Sequence, residues 1–299
     1  MSRIHYQKCP LCGSEKIGKK LAARDYTVSQ ETFDIWECGT CTGRFTQDVP
    51  DVAEIGRYYQ SAEYISHSET REGLINRMYH SVRKITMRSK QNWVKTAAGV
   101  KTGALLDIGS GTGAFLAHMK QLGWQVTGLE PDATARENAL KHHKVESSSI
   151  EDLFKLEPGR FDCITMWHVL EHVHDLHNYL EQIRTLLKPG GALLVAVPNY
   201  KSTDARIYGS EWAAYDVPRH LYHFSPVAMD MLMQQHRLDI VTKHPMVFDA
   251  FYVSLLSQKY KTGKSGLLAG GFKGLRSYWK AWRHVDKCSS IVYECKVAK

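Results

Sequence analysis

Long apolar runs are missing from this 299-residue sequence. Nothing approaches the roughly 20 consecutive apolar residues that span a bilayer, which excludes a helical membrane protein. The opening stretch MSRIHYQKCP has no apolar core of the kind a secretory signal needs, so a soluble, cytoplasmic protein is expected. No internal repeat or low-complexity tract stands out. Cations are missing from one telling place. Between Asp107 and Lys120 there is no Lys or Arg, although that stretch holds the turn Gly109-x-Gly111-x-Gly113. The Lys-Ser/Thr of a phosphate-binding loop is absent, and the third glycine misses the GxGxxG spacing of a dinucleotide fingerprint.

The chain does have the apolar content, 43%, for a full core, and its length fits one large domain plus a small one. The net charge of +8 is uneven. Residues 1–100 carry 15 Lys/Arg against 11 Asp/Glu, residues 101–235 carry 12 against 16, and residues 236–299 carry 12 against 4. Basic ends around an acidic middle attract anionic partners, although Lys and Arg also simply solvate exposed faces.

Four of the seven cysteines form two hooks, Cys9-Pro-Leu-Cys12 and Cys38-Gly-Thr-Cys41, separated by 25 residues. That spacing fits a tetrahedral zinc site better than a disulfide framework, with iron and redox chemistry as competitors. Four protein ligands leave no open position, so the expected role of Zn2+ is structural. Residues 1–48 then read as a zinc ribbon, with short strands at Thr27-Val28 and Thr32 to Trp36, too small to fold without a metal staple.

Residues 49–100 read as a helical connector. Leu74 to Ala98 carries Arg77, Arg83, Lys84, Arg88, Lys90 and Lys95 without one acid, while Leu74, Ile75, Met78, Val82, Ile85 and Trp93 supply a buried stripe. From residue 101 to 299, apolar runs at 104–108, 125–129, 161–166, 192–197, 238–242 and 290–297 alternate with helical segments. The expected fold is α/β, an open parallel sheet.

In such a sheet the glycine turn lies at the carboxyl edge, where doubly wound folds bind ligands. The next strand, WQVTGLEPD, ends in Glu130, at the distance where a carboxylate takes both hydroxyls of a ribose. Two acids beside a turn poor in cations suit a nucleoside bearing positive charge.

With LLDIGSGTG, LEPD, FDCITMWHVLEHVHD (161–175) and LLKPGGALLVAVPN (186–199) on one chain, residues 100–242 resemble the class I S-adenosylmethionine (SAM)-dependent methyltransferases, whose sheet is Rossmann-like. The resemblance implies that Gly109, Ser110, Gly111 and Gly113 border the cofactor and that Asp107 supports the turn. It further implies that Glu130 holds the ribose and that Trp167 lies against the cofactor. Ser149 stands where an acid near the adenine is common, leaving the amide of Ile150 for that contact. The cysteine-rich N-terminus makes the chain similar to a bacterial group that includes deoxysugar C-methyltransferases. HVLEHV and PRHLYHFS also look like strings in methyltransferases of quinone precursors and other small metabolites.

Three histidines are candidate catalytic groups. His168 and His172 are four apart beside Glu171, a metal-ligand spacing that equally fits a turn of helix at the pocket. His220 and His223 lie in EWAAYDVPRHLYHFSP (211–226), a segment dense in polar and aromatic groups, within an expected substrate lid over 200–226. A histidine of near-neutral pKa suits removal of a proton from a hydroxyl or carbon acid. The competing reading has one ring capping the helix after Ser225-Pro226 and the other packed.

The expected reaction is methyl transfer to oxygen or carbon of a small-molecule acceptor: a sugar, a quinone precursor or an anionic or lipid-linked metabolite. The basic arm at 251–287 either walls the substrate pocket or makes peripheral membrane contact as an amphipathic helix. The alternative is an RNA methyltransferase gripping nucleic acid through the ribbon and basic segments, although the (D/N)PPY motif for base amines is missing. A third reading is a zinc-anchored binding protein without turnover.

Overall fold

The computed structural model describes residues 2–60, 74–246, 248–263 and 284–298, with the backbone alone for 74–84. The arm residues 264–283 and the Tyr/Ser-rich stretch 61–73 therefore lie outside the described residues. Among the described residues no helix is long and apolar enough to cross a membrane.

The N-terminal region contains strands β1 (Arg3–Ile4), β2 (Ile17–Arg24), β3 (Thr32–Cys38), β4 (Arg44–Thr46) and β5 (Val49–Pro50). Thr27 and Val28, expected in a strand, instead form the turn between β2 and β3. The cause is Asp25, whose carboxylate accepts from the amides of Thr27, Val28 and Ser29 and so favours a turn. Helix α1 runs over Leu74–Ala98, as the sequence predicts. Val94 and Ala97 are fully buried on it and Trp93 is packed, whereas Ile85 faces solvent.

The large sheet has seven strands, adding β6 (Ala104–Ile108), β7 (Gln125–Leu129), β8 (Ser147–Ser148), β9 (Phe161–Trp167), β10 (Leu187–Pro198), β12 (Leu238–Pro245) and β13 (Ser290–Val297). Its order is β12-β13-β10-β9-β6-β7-β8. The expected parallel sheet holds from β8 to β10, while β13 pairs antiparallel with both β10 and β12. Strand β10 shows why this sheet is central. Leu193, Val195 and Val197 enter one apolar cluster and Ala192, Leu194 and Ala196 the other, so both faces are covered. Helices α2 (Ala114–Gln121), α3 (Ala133–Asn138) and α4 (Leu176–Leu186) follow β6, β7 and β9 in turn.

The segment after β10 holds α5 (Thr203–Tyr208), β11 (Tyr222–His223) and α6 (Pro226–Gln235), with α7 (Asp249–Thr262) following β12. Strand β11 pairs with β4, in the register Tyr222↔Phe45 and His223↔Arg44, and completes a four-stranded sheet β11-β4-β3-β2. The N-terminal region is thus no satellite. Cys9, Leu11, Cys38, Cys41 and Phe45 share one buried cluster with Leu106, Ile164 and Leu193 of the large sheet. Its other face packs Phe33 and Ile35 against Tyr200, Tyr208, Trp212 and Tyr215. Most of the aromatic residues expected to line a lid are therefore core; Trp212 is buried and donates through Nε1 to Asp204 at 2.8 Å.

Candidate functional site

Strand β6 delivers its last residues to the sheet's carboxyl edge, where the chain turns on three glycines with φ of 72°, 54° and 76° at 109, 111 and 113. These are left-handed conformations that side chains oppose. Two of the glycines serve packing as well. A Cβ on Gly109 would meet Val169 Cγ2 at 2.3 Å, and one on Gly113 would meet Val145 and Ala139. Gly111 differs: nothing lies within 4 Å of its Cβ direction, so this glycine faces open space.

Around that space stand acids. Glu130, at the tip of β7, is mostly buried and accepts from the amides of Gly111 (2.8 Å) and Asp132 (3.0 Å). Burial raises its pKa. Asp107 accepts from Thr165 Oγ1 at 2.6 Å, and burial pushes its pKa up to about 7. Its anchor is thus the neighbouring strand. Ser110 Oγ bonds to Ser147 Oγ at 2.9 Å, tying the turn to β8. Ile150 begins a helical turn after Ser149 and packs against the core. Trp167 ends β9 and meets Phe115 of α2 edge to face, with centroids 5.6 Å apart.

Lys90, missed by the sequence reading as a site residue, reaches in from α1. Its Nζ lies 4.4 Å from the centre of the Trp167 ring and 5.7 Å from that of Phe115. Burial lowers its pKa, against the pull of Asp107 and Asp249. An acid-free helix hinted at such a residue but gave no means of choosing among six cations.

Immediately past Trp167, His168 has φ of 60° and the chain enters a short helical turn, Leu170–His172. His168 Nε2 lies 2.8 Å from Asp249. Burial opposes its charge, but Asp249 and Glu171 prevail and raise its pKa to about 10. His168, a candidate catalytic residue, is thus held between two carboxylates at the end of β9. Glu171 is fully buried, and neither carboxylate oxygen has a hydrogen-bond partner among the described residues. His168 Nδ1 approaches it at 3.4 Å.

The lid segment meets this turn directly. The Leu221 amide donates to the Glu171 carbonyl at 2.8 Å. The His220 ring lies edge-on to His172 with centroids 4.6 Å apart. His220 Nδ1 donates to the Ala214 carbonyl at 2.9 Å, and His172 Nδ1 lies 3.0 Å from both the Arg219 carbonyl and the Tyr59 hydroxyl. Burial and the neighbouring His220 lower the His172 pKa to about 4. His223 is placed elsewhere. It lies in β11, with Nε2 3.2 Å from Thr46 Oγ1 and its ring against Tyr215, a buried residue of the small sheet rather than a pocket base. Ser225, not a histidine, caps α6.

The four cysteines of the two hooks converge as the spacing predicts, their sulfurs all within 4.8 Å of one another. Cys9–Cys41 and Cys12–Cys38 are each 3.6 Å apart. A disulfide needs about 2.05 Å, whereas tetrahedral zinc–sulfur bonds of about 2.3 Å put sulfurs about 3.8 Å apart. The amides of Thr40 and Gly43 point at the sulfurs of Cys38 and Cys41, at 3.3 and 3.4 Å. Donor set, separation and amide-to-sulfur bonds all fit a zinc ion.

Known proteins match this architecture. Residues 82–243 fit the family model described as a methyltransferase domain. A ubiquinone biosynthesis O-methyltransferase of Rhodopseudomonas palustris (strain BisB5) is 32% identical over 139 residues, covering 44% of this chain and 55% of that protein. Another, from Bradyrhizobium sp. (strain ORS 278), is 30% identical over 158 residues, 49% and 62% of the two chains. The matched region thus spans little more than half the length of these relatives. Among solved structures, a geranyl diphosphate methyltransferase in complex with SAM shares the fold with a TM-score of 0.53 and 15% identity, over 79% of this chain and 95% of that one. The family model spans just over half of the sequence and contains the glycine turn, Glu130 and the lid residues: the chain belongs to the methyltransferase-domain family.

Proposed function

We propose that this protein transfers a methyl group from SAM to a hydroxyl oxygen of a small-molecule acceptor. The observation that carries the reading is the space in front of Gly111, bordered by the Glu130 carboxylate. A carboxylate there suits the two hydroxyls of a ribose and disfavours phosphate. The family match and the curated relatives named as O-methyltransferases support the same choice.

In this reading Gly109, Gly111 and Gly113 shape the turn that receives the nucleoside, Ile150 offers its amide to the adenine, and Trp167 supplies an aromatic face to the sulfonium. Lys90, beside Trp167, is a cation available to the methionine carboxylate. The acceptor hydroxyl is received and ionised at Glu171, His172 and His220, which adjoin the turn through Val169. Transfer then needs alignment and exclusion of water more than bond activation, because the sulfonium is already a good leaving group. The four-cysteine zinc site has a structural part.

Calorimetry with SAM, followed by transfer of labelled methyl from SAM into cell extract separated into lipid, RNA and small-metabolite fractions, tests the reading. Label is expected in the small-metabolite or lipid fraction. Glu130→Ala is expected to weaken SAM binding at least tenfold, the scale of a lost charged hydrogen bond. Label confined to RNA, or no SAM binding, overturns it.

A further inference from the structure

We infer that the Lys90 ammonium shares the Trp167 ring with the sulfonium, and so sets the balance of affinity between the methyl donor and its thioether product, S-adenosylhomocysteine (SAH). The inference deepens the methyl-transfer reading and rests on it. Its ground is the placing of one cation. Lys90 Nζ lies over the Trp167 ring, 4.4 Å from its centre, and 5.7 Å from the centre of the Phe115 ring. Asp107 and Asp249 attract it through space, and among the described residues neither holds it by a hydrogen bond. Two aromatic rings, rather than a carboxylate, receive this ammonium.

The sheet fixes where that ring stands. Strands β6 and β9 pair in parallel, with Asp107 opposite Thr165 and Ile108 opposite Met166. Trp167 is therefore level with Gly109, where the glycine turn begins, and Phe115 is the second residue of α2, just beyond that turn. The ring suited to the sulfonium is thus the ring that already carries a cation. Helix α1 keeps that cation close. Trp93, three residues along from Lys90, is tilted against Trp167 with centroids 6.3 Å apart, and Val94 and Ala97 are buried on the same helix.

Two positive charges beside one ring repel, and strongly so where water is partly excluded. The flexible stem of Lys90 lets its ammonium turn toward the methionine carboxylate, but the packed helix keeps it near the sulfur. In transfer the S–CH3 bond breaks, the O–CH3 bond forms and the bonding pair stays on sulfur. Lys90 then faces a neutral thioether and has nothing to repel. Donor and product carry the same carboxylate, so a carboxylate contact alone favours them equally. Only the ammonium's nearness to the sulfur tells them apart. Lys90 therefore opposes the bound donor more than the bound product, and relief of that repulsion favours transfer.

The test is calorimetric titration of the full-length, zinc-loaded protein with SAM and, separately, with SAH. Lys90→Met, checked for folding by circular dichroism, keeps an unbranched apolar stem and removes the charge. It is expected to lose more affinity for SAH than for SAM, shifting the preference toward SAM by about fivefold or more. Lys90→Arg is expected to hold the wild-type preference, as is Arg88→Met, which removes an exposed cation of the same helix. Should Lys90→Met not fold, Lys90→Gln carries the same expectation. An equal change in both affinities, or the same shift in Arg88→Met, overturns the inference and leaves methyl transfer standing. Binding of neither compound by folded wild type overturns the methyl-transfer reading and the inference with it.

Discussion

Two clusters of polar side chains, the four thiols and the group Glu171, His172 and His220, are built in opposite ways. The four thiols come from two hooks, one between β1 and β2 and one in the β3–β4 turn, and backbone amides point at the sulfurs of Cys38 and Cys41. Glu171, His172 and His220 come from segments almost fifty residues apart; their polar side-chain atoms lie within 4.8 Å of one another, and His168 Nδ1 stands 3.4 Å from the Glu171 carboxylate. The first set is closed and tied to the backbone, as a structural ion requires. In the second, Glu171 and His220 are buried. Physically the two are joined, since strand β11, just after His220, is an edge of the small sheet built on the cysteine hooks.

The largest effect that would sharpen this comparison is loss of the closed cluster. Cys41→Ser is expected to remove cooperative folding of the small sheet and, through β11, of the lid. Structural zinc contributes on the order of 10 kcal/mol in small zinc domains. Circular dichroism melting and methyl transfer are expected to fail together. A variant that lost zinc but kept turnover would break the link between the clusters.

That link was the least legible part of the chain. The glycine turn, Glu130, the strands at 104–108 and 290–297 and the bounds of α1 follow from patterns that repeat every two or 3.6 residues, or from contiguous motifs. The hooks at Cys9 and Cys38 are legible for the same reason. The pairing of Phe45 with Tyr222 spans well over a hundred residues, and no local pattern encodes it. Trp212, Tyr215 and His223 read as pocket residues because polar aromatics suit a binding surface; their burial against Phe33, Ile35 and Thr46 depends on that long-range pairing. Lys90 was hidden differently, as one cation among six on an acid-free helix.

Removing His220 is the next effect in size. His220→Ala is expected to abolish turnover while leaving SAM affinity unchanged, since the ring touches His172 rather than the glycine turn. Single-turnover kinetics alongside calorimetry separates the two. A parallel fall in SAM affinity would mean that the lid and the turn form one unit.

Arg219 offers a smaller effect on the same connection. It is fully buried, donates from Nη2 to Asp25 at 3.0 Å and to Asp216 at 2.6 Å, and donates from Nη1 to the Tyr58 carbonyl. It thus clamps the turn between β2 and β3 to the residue beside His220. Arg219→Met takes the shared cation from the buried Asp25 and the partly buried Asp216 and is expected to cost about 3–5 kcal/mol. Burial tends to raise the Asp25 pKa, but the Ser29 amide and Arg219 hold it near 2. A carboxylate depressed on folding stabilises above its unfolded pKa of about 3.9 and loses that contribution as pH falls toward 2. Acid melting curves of wild type are therefore expected to lose about 2 kcal/mol over that window, and those of Asp25→Asn to lose less.

The smallest effects separate glycines that shape the turn from the one that faces its ligand. Gly109→Ala meets both a left-handed φ and the Val169 methyl at 2.3 Å, and is expected to cost about 2–5 kcal/mol of stability. Val169 precedes the turn Leu170–His172, so the displacement reaches Glu171 as well. Gly111→Ala meets only the backbone strain, about 1–2 kcal/mol, because its Cβ enters vacant space. Its expected loss is in SAM affinity, where the new methyl group occupies room needed by the nucleoside. Thermal melting with and without SAM distinguishes them: Gly109→Ala lowers both curves, and Gly111→Ala chiefly removes the upward shift that SAM produces. If the two variants behaved alike, the turn would be scaffold throughout, and the ligand would have to lie on another edge of the sheet.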